Sequence, residues 1–387
     1  MNVQWQIIDK QYDLFRYPKG QHDKSLQAWD SADELVVEHL LTSNEINKDS
    51  LLILNDNFGA LAVGLNSLSP TIATDSYISQ QAILQNCEAN ELNAPKLLDS
   101  LTPLPESNTI VIKLTKNMGF LEHQLGQINQ LNNECQIIAT GKTTLVTKNV
   151  LALFEKYLSD VTTSLAKKKS RLIFAKHDNK KQVPASKYPV SVTWPEKSLN
   201  VVSHANVYSK DQIDIGGRFL AENLPELTAE QTVVDLGCGN GLIGLSCLHQ
   251  MQERNKSIKV KFLDESFMAI DSARLNVAEQ FEAQLEQCEF IATDCLTGEE
   301  EQSIDLILCN PPFHQQNTIT EHIALQMFTQ AKEVLKDGGK IFVVANNHLH
   351  HSYHLKNIFG GFKVHRKNNK FTIYKCTNHL QAKPEAK

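Results

Sequence analysis

Thr232-Val233-Val234-Asp235-Leu236 is an apolar run that passes directly into Gly237, Gly239 and Gly241, each one residue apart, before Leu242 to His249 resume a helix-like apolar pattern. This succession constrains the fold more than any other feature of the chain. Glycine turns tightly and lets a ligand approach the backbone. Strand, glycine loop and helix in that order belong to open α/β sheets, which bind ligands at the carboxyl ends of their strands. Two further runs end in the same way, Val260-Lys261-Phe262-Leu263-Asp264 and Cys288-Glu289-Phe290-Ile291-Ala292-Thr293-Asp294. An acid about 20 residues beyond such a loop is placed to accept hydrogen bonds from ribose hydroxyls. That is the role expected of Asp264, and Asp294 at the next strand end is expected to border an adenine.

The fourth run, Ile304-Asp305-Leu306-Ile307-Leu308-Cys309, ends in Asn310-Pro311-Pro312-Phe313. Neither proline can donate a backbone hydrogen bond, each holds φ near about −65°, and the residue before a proline is driven out of the helical region. A stiff turn results, presenting carbonyl acceptors, an Asn amide and an aromatic face. It suits a planar NH2 group attached to a π-system, with the hydrogens held by the Asn310 side-chain oxygen and the Pro311 carbonyl and the ring stacked on Phe313. Methylation of an exocyclic nitrogen is the chemistry this implies, given a donor at the glycine loop.

Gly239-x-Gly241-x-x-Gly244 also matches the dinucleotide fingerprint, and a lone match of this kind would point to an NAD-dependent oxidoreductase. Asp235 argues against it, because an acid at the loop repels a pyrophosphate but welcomes a sulfonium and an amino group. The Asn-Pro-Pro-Phe turn has no role in hydride transfer.

Residues from about 200 to 375 resemble a class I S-adenosylmethionine-dependent methyltransferase of the exocyclic-amine group. More narrowly, the chain resembles the RlmG family of large-subunit ribosomal RNA guanine-N2 methyltransferases, whose sister family RsmC acts on small-subunit rRNA. The segments that carry this are Asp211–Gly217 (DQIDIGG), Asp235–Gly244 (DLGCGNGLIG), Cys309–Gln315 (CNPPFHQ), Val344–Leu349 (VANNHL) and Asn368–Phe371 (NNKF). The resemblance implies S-adenosylmethionine as cofactor, with Gly216 and Gly217 in a loop that closes over it, and guanine N2 of 23S rRNA as the methyl acceptor. Asn369 and Lys370 would help position the base or a neighbouring phosphate. The same tetrapeptide serves guanine N2 in 16S rRNA, adenine N6 in RNA or DNA, and protein glutamine; a nucleotide-binding scaffold without turnover is a further reading.

The N-terminal half repeats the pattern without its chemistry. Leu51 to Leu61 can be laid over Val233 to Ile243, so that Gly59 meets Gly241, Asn55 and Asn57 meet Gly237 and Gly239, and Ile53 replaces Asp235. Thr71 to Asp75 mirrors the strand to Asp264, Asn108 to Lys116 the strand to Asn310, and Leu131 to Thr140 the run Leu335 to Val344. Four matches in order indicate an internal duplication. The expected fold is therefore α/β, two Rossmann-like methyltransferase domains in tandem with the N-terminal one degenerate. Residues 1–163 would serve substrate recognition, 164–199 would be a basic connector, and 200–387 would be catalytic. Lys113 and Lys116 are candidates to face RNA from the silent site.

A chain of 387 residues accommodates two domains, and its 41% apolar and 21% charged composition is that of a soluble globular protein. No signal peptide or spanning segment is expected, which points to the cytoplasm. The eight cysteines have no C-x-x-C pair, and His348, His350, His351 and His354 lack a metal-ligand framework, so no metal and no disulfide is expected. No obligate protein partner is evident. The net charge of −6 is unusual for an RNA enzyme, but phosphate binding depends on local patches. Lys167, Lys168, Lys169, Arg171, Lys176, Lys180, Lys181, Lys187 and Lys197 face only Asp178 and Glu196 in the same stretch, and Lys363, His365, Arg366, Lys367 and Lys370 form a second cluster. Of these, Lys167, Lys168, Lys169, Arg171, Lys180, Lys181 and Lys370 are the expected RNA contacts.

Overall fold

The computed structural model describes residues 3–18, 26–44, 46–312 and 318–379. It separates into two compact units, Met1–Tyr188 and Pro189–Lys387.

The first unit is built on seven strands, β1 (Leu51–Leu54), β2 (Thr71–Thr74), β3 (Lys96–Asp99), β4 (Thr109–Lys113), β5 (Cys135–Lys142), β6 (Ser159–Thr163) and β7 (Ser170–His177). Their order across the sheet is β3-β2-β1-β4-β5-β7-β6. Strands β1 to β5 are parallel to their neighbours, whereas β7 runs antiparallel to both β5 and β6. Side chains alternate between faces with a period of two, and both faces are covered. Leu51 and Ile53 pack with Val36, Val37 and Leu40 of helix α1 (Ser31–Thr42). Leu52 and Leu54 pack with Leu121 and Leu125 from the opposite side. Burial of each such side chain is worth about 1.5–3 kcal/mol.

The second unit repeats the design with β8 (Thr232–Leu236), β9 (Lys259–Asp264), β10 (Cys288–Ala292), β11 (Ile304–Cys309), β12 (Leu335–Asn346), β13 (Lys363–Lys367) and β14 (Phe371–Thr377), ordered β10-β9-β8-β11-β12-β14-β13. Val233 packs with Leu245 and Leu248 on one face, and Val234 and Leu236 with Phe328 and Ala331 on the other. Two mixed seven-stranded sheets of identical order confirm the tandem arrangement expected from the sequence.

Register fixes the correspondence residue by residue. In β8, Leu236 pairs with Cys309 and with Leu263; in β1, Leu54 pairs with Ile112 and with Ala73. Gly241 and Gly59 each precede a helix with φ of 84° and 85°. Lys113 therefore occupies the position of Asn310. The acid match shifts by one place: Thr74, not Asp75, stands where Asp264 does. The side chain of each accepts the backbone N–H two residues on, from Ser76 and Ser266 respectively.

The expected connector at 164–199 is corrected by this arrangement. Ser170–His177 is an interior strand, with Leu172, Ile173 and Ala175 buried and Lys176 outside. The unbroken apolar run Leu172-Ile173-Phe174-Ala175, flanked by Arg171 and Lys176, is that of a strand covered on both faces rather than a charged linker. Only beyond it, at Tyr188/Pro189, does the chain change unit.

Candidate active site

The glycine loop after β8 is held in shape by its neighbour strand. The N–H groups of Gly237 and Cys238 donate to the Leu263 carbonyl at 2.8 and 3.0 Å. Asp264 accepts Gly239 N–H on Oδ2 at 2.9 Å and Ser266 N–H on Oδ1 at 3.0 Å. Gly237 has φ +69°, the left-handed region that penalises most side chains. A Cβ added at Gly239 would meet nothing within 4 Å, so the loop presents bare backbone to open space there.

Asp235 lies fully buried beneath this loop. Its Oδ2 accepts Gly244 N–H at 2.8 Å, which ties strand β8 to the helix Leu242–Gln252, the next element in the chain after that loop. Its Oδ1 is buried with no hydrogen-bond partner among the described residues. Burial, with a smaller contribution from nearby Asp264 and opposed by the Gly244 N–H, raises the carboxyl pKa to about 8. An unpaired buried acceptor is costly, so the loop is built for a cationic or donor group that is not part of the chain. Asp294 is buried at the end of the neighbouring strand, 5% exposed.

Asn310 follows β11, half-buried, with Pro311 buried and Pro312 exposed behind it. Its Nδ2 donates to Oδ2 of Asp214 at 2.9 Å, and the same oxygen accepts Gly217 N–H at 2.6 Å as the N-cap of the helix Ile215–Glu222. A carboxylate only accepts, so the amide cannot be flipped without setting two oxygens against each other. Asn310 Oδ1 is thereby left buried and without a partner among the described residues. Gly217 makes the approach possible: a Cβ there would sit 3.2 Å from Asp214 Oδ2 and 3.6 Å from Asn310 Nδ2. Phe313 lies outside the described residues.

Asp214 is the functional residue that motif reading passed over. It stands inside DQIDIGG, where the glycines draw the eye. An acid placed immediately before a helix start is an N-cap signal, and its second hydrogen bond, to Asn310, spans a sequence gap no local pattern shows.

In the first unit the matching space is filled from within. Asn55, at the Gly237 position and with φ +70°, exchanges two hydrogen bonds with Gln124 (3.0 and 2.8 Å) and donates to the Lys113 carbonyl at 3.0 Å. Lys113 Nζ donates to both oxygens of the buried Asp33, at 2.6 and 2.7 Å. Burial works against the ammonium, and Asp33, Asp30 and Asp56 more than offset it, so its pKa stands above the usual lysine value. Lys113 is thus not available to RNA, contrary to the expectation from sequence; a buried carboxylate claims it.

Two family models divide the chain between them: an RLMG N-terminal domain matches residues 2–179 and a methyltransferase small domain residues 198–375. A ribosomal RNA large subunit methyltransferase G of Pseudoalteromonas translucida is 41% identical, covering 98% of this chain and 99% of its own length. Its counterpart in Aeromonas hydrophila is 43% identical over 94% of this chain and 96% of its own. The chain belongs to the RlmG family. The fold agrees: the Thermus thermophilus 16S rRNA N2 G1207 methyltransferase RsmC, solved with AdoMet and guanosine, superposes with a TM-score of 0.74 over 97% of both chains at 15% identity.

For an RlmG member the cofactor is S-adenosylmethionine, and the loop fits it: the orphaned Asp235 oxygen and the open side of Gly239 match a ligand with an ammonium and a sulfonium. The residues expected around the cofactor, Gly216, Gly217, Asp235, Gly237, Gly239, Gly241, Asp264 and Asp294, lie at or behind the carboxyl ends of β8 to β11, as does Asn310. The described residues contain no group of three or more metal-ligating side chains, and no helix among them is long and apolar enough to cross a membrane.

The expected RNA contacts of this RlmG chain are not brought together. Lys167, Lys168 and Lys169 sit in the β6–β7 turn at the carboxyl edge of the first sheet, where Lys167 ion-pairs with Glu38 and Lys168 with Glu34. Arg171 is in β7, with Nε buried and without a partner among the described residues. Lys180 and Lys181 follow the far end of β7, separated from the turn by an eight-residue strand of about 25 Å. Lys181 donates to the carbonyls of Glu155 and Leu158, each at 2.6 Å. Lys370 lies in the second unit, its Nζ 5.3 Å from the Phe371 ring centroid. A sequence window cannot show that a strand carries its two ends to opposite edges.

Proposed function

We propose that the protein transfers the methyl group of S-adenosylmethionine to the exocyclic N2 of a guanine in 23S rRNA. Family membership supplies the coarser statement, that this is an S-adenosylmethionine-dependent methyltransferase of large-subunit rRNA. One observation supports an exocyclic amine as the acceptor, and the RlmG resemblance selects guanine N2 among such amines: Asn310 Oδ1 is buried and without a partner among the described residues while its Nδ2 is locked on Asp214. That oxygen is an acceptor held ready for an NH2 group.

The lone pair of an aromatic amine is delocalised into its ring, which makes it a poor nucleophile. Hydrogen bonds from the amine to Asn310 Oδ1 and the Pro311 carbonyl would localise the pair toward the donor. Such preorganised acceptors are most effective where water is excluded. S-adenosylmethionine supplies an electrophilic methyl on a sulfonium, and Asp235, Asp264 and the glycine loop hold the cofactor in place. Holding the two reactants in line supplies much of the acceleration. Phe313 is assigned to stacking on the extruded base, and Asn369 and Lys370 to the base or an adjoining phosphate. The RNA contacts are assigned to the carboxyl edges of the sheets, with Lys169 in one and Lys370 in the other, Lys167 and Lys168 being held by Glu38 and Glu34. Arg171, Lys180 and Lys181 support the first unit. The enzyme works in the cytoplasm with its rRNA substrate.

Transfer of labelled methyl to naked 23S and 16S rRNA and to intact subunits, followed by digestion to nucleosides, tests this reading. N2-methylguanosine from the large-subunit RNA alone is the expected result. Label on adenosine, on 16S rRNA or on protein would reject the acceptor proposed here.

A further inference from the structure

The segment Gly361–Asn378 contains Lys363, Arg366, Lys367, Lys370 and Lys375 and no acid, in a chain whose net charge is −6. It folds into the β13–β14 hairpin at the edge of the catalytic sheet. The direction of the strands decides where its charges lie. Phe371 at the start of β14 pairs with Asn346 at the carboxyl end of β12, and Lys367 pairs with Thr372. The turn Asn368 to Lys370 therefore projects from the same edge of the sheet as Asn310. With neighbouring strands about 4.8 Å apart, β14 and β13 lie about 10 and 14 Å from β11. That is the surroundings of a base held at Asn310.

Three observations show that this charge is unspent. Among the described residues, none of Lys363, Arg366, Lys367 and Lys370 has a carboxylate within salt-bridge distance. Lys363 is paired directly across the ladder with Lys375, and like charges in that position repel. In the first unit two of the three lysines of the corresponding hairpin turn, Lys167 and Lys168, are engaged by Glu38 and Glu34 of helix α1. Lysines on an edge strand also guard against unwanted pairing. That does not account for the hairpin, because the matching edge strand Ser159–Thr163 manages with one acid and no base.

We infer that the β13–β14 turn, through Arg366, Lys367 and Lys370, grips the phosphate backbone of the RNA beside the target nucleotide. The inference rests on the proposed acceptor being RNA, and it names where that RNA is held. The hairpin turn is the element that recurs in both units: in the first, Lys167 and Lys168 are ion-paired, whereas among the described residues no cation of the catalytic one is.

The test compares the full chain with its Arg366→Gln/Lys367→Gln/Lys370→Gln variant, measuring binding to a 23S rRNA transcript across a potassium chloride series. Each lost contact to single-stranded phosphate lowers the slope of log affinity against log salt by about 0.7, so a fall of about 2 is expected. RNA KM should rise about tenfold or more, with affinity for S-adenosylmethionine unchanged. Single variants, each expected to lose about 0.7, give the same reading if the triple variant fails to bind the cofactor. Lys180→Gln/Lys181→Gln, at the other edge of the first sheet, should leave the slope alone. An unchanged slope and KM in a triple variant that still binds the cofactor would overturn the inference, as would an equal loss in the Lys180/Lys181 pair. Salt slopes are read without turnover, so failure of the wild type to methylate 23S rRNA would count against the proposed acceptor and not against this surface.

Discussion

Lys113 and Asn310 stand at the same place in two sheets of the same strand order, yet only Asn310 keeps a buried side-chain acceptor without a partner among the described residues. Each leans on an acid from the helix that covers its strand end. Asp214 turns the Asn310 amide so that its oxygen is left over, whereas Asp33 neutralises Lys113 and leaves nothing over. The glycine loop tells the same story. Gly237 carries no side chain there, whereas Asn55 at the matching position satisfies its own on Gln124. One copy keeps buried polar atoms unpaired at a cost of about 1–3 kcal/mol each. The other has exchanged them for internal bonds.

The most damaging way to erase the difference is Asn310→Lys, which writes the silent site into the live one. The lysine would pair with Asp214, leaving the fold and cofactor affinity intact while turnover falls at least about a hundredfold. Turnover within a few-fold of wild type would remove Asn310 from the mechanism. In the silent copy, Lys113→Ala strands Asp33 as an unpaired buried carboxylate, a loss of about 3–5 kcal/mol confined to the first unit. Trp5 and Trp29 report on that unit and Trp194 on the other, so denaturant unfolding followed by fluorescence separates them. Equal losses in both units would mean the two are not independent.

Asp214→Asn keeps the helix cap but no longer dictates which way the Asn310 amide faces. The expected effect is about a ten- to hundredfold drop in kcat, or 1.4–2.7 kcal/mol, with cofactor affinity and melting temperature unchanged. A loss in affinity with kcat preserved would instead make Asp214 a cofactor ligand.

The remaining comparison is in pH dependence. Both copies bury an acid at the loop: Asp235 has its pKa raised to about 8 and Asp56 to about 6, in each case chiefly by burial. An acid with a raised pKa holds its proton more tightly folded than unfolded. Its contribution to stability is therefore full below the ordinary Asp value of about 4 and declines until pH reaches the folded pKa. The second unit should go on losing stability up to about pH 8, and the Asp56 contribution to the first should level off near pH 6. Asp235→Asn should flatten the profile of the second unit alone, and a profile unaltered by that substitution would mean Asp235 is not the source.

Much of this was legible in the chain. The four strand ends, the tandem α/β fold and the pairing of Gly59 with Gly241 follow from apolar periodicity and glycine spacing, which are local. The role of Asp214 was not, since it depends on a contact with Asn310 from a distant strand. Nor was the silencing of Lys113 by Asp33, which joins α1 to β4. The run from Lys167 to Lys181 shows the converse: close in sequence, its residues are parted by β7. Charge density in a window says how many cations there are and not which edge of a sheet receives them.

Calorimetric titration of the full chain with S-adenosylmethionine puts the contrast between the two copies to its most direct test. The account requires one site per chain, abolished by closing the loop in the second unit with Gly239→Asp and unaffected by Lys113→Asn in the first. Two sites, or one that survives Gly239→Asp, would contradict it.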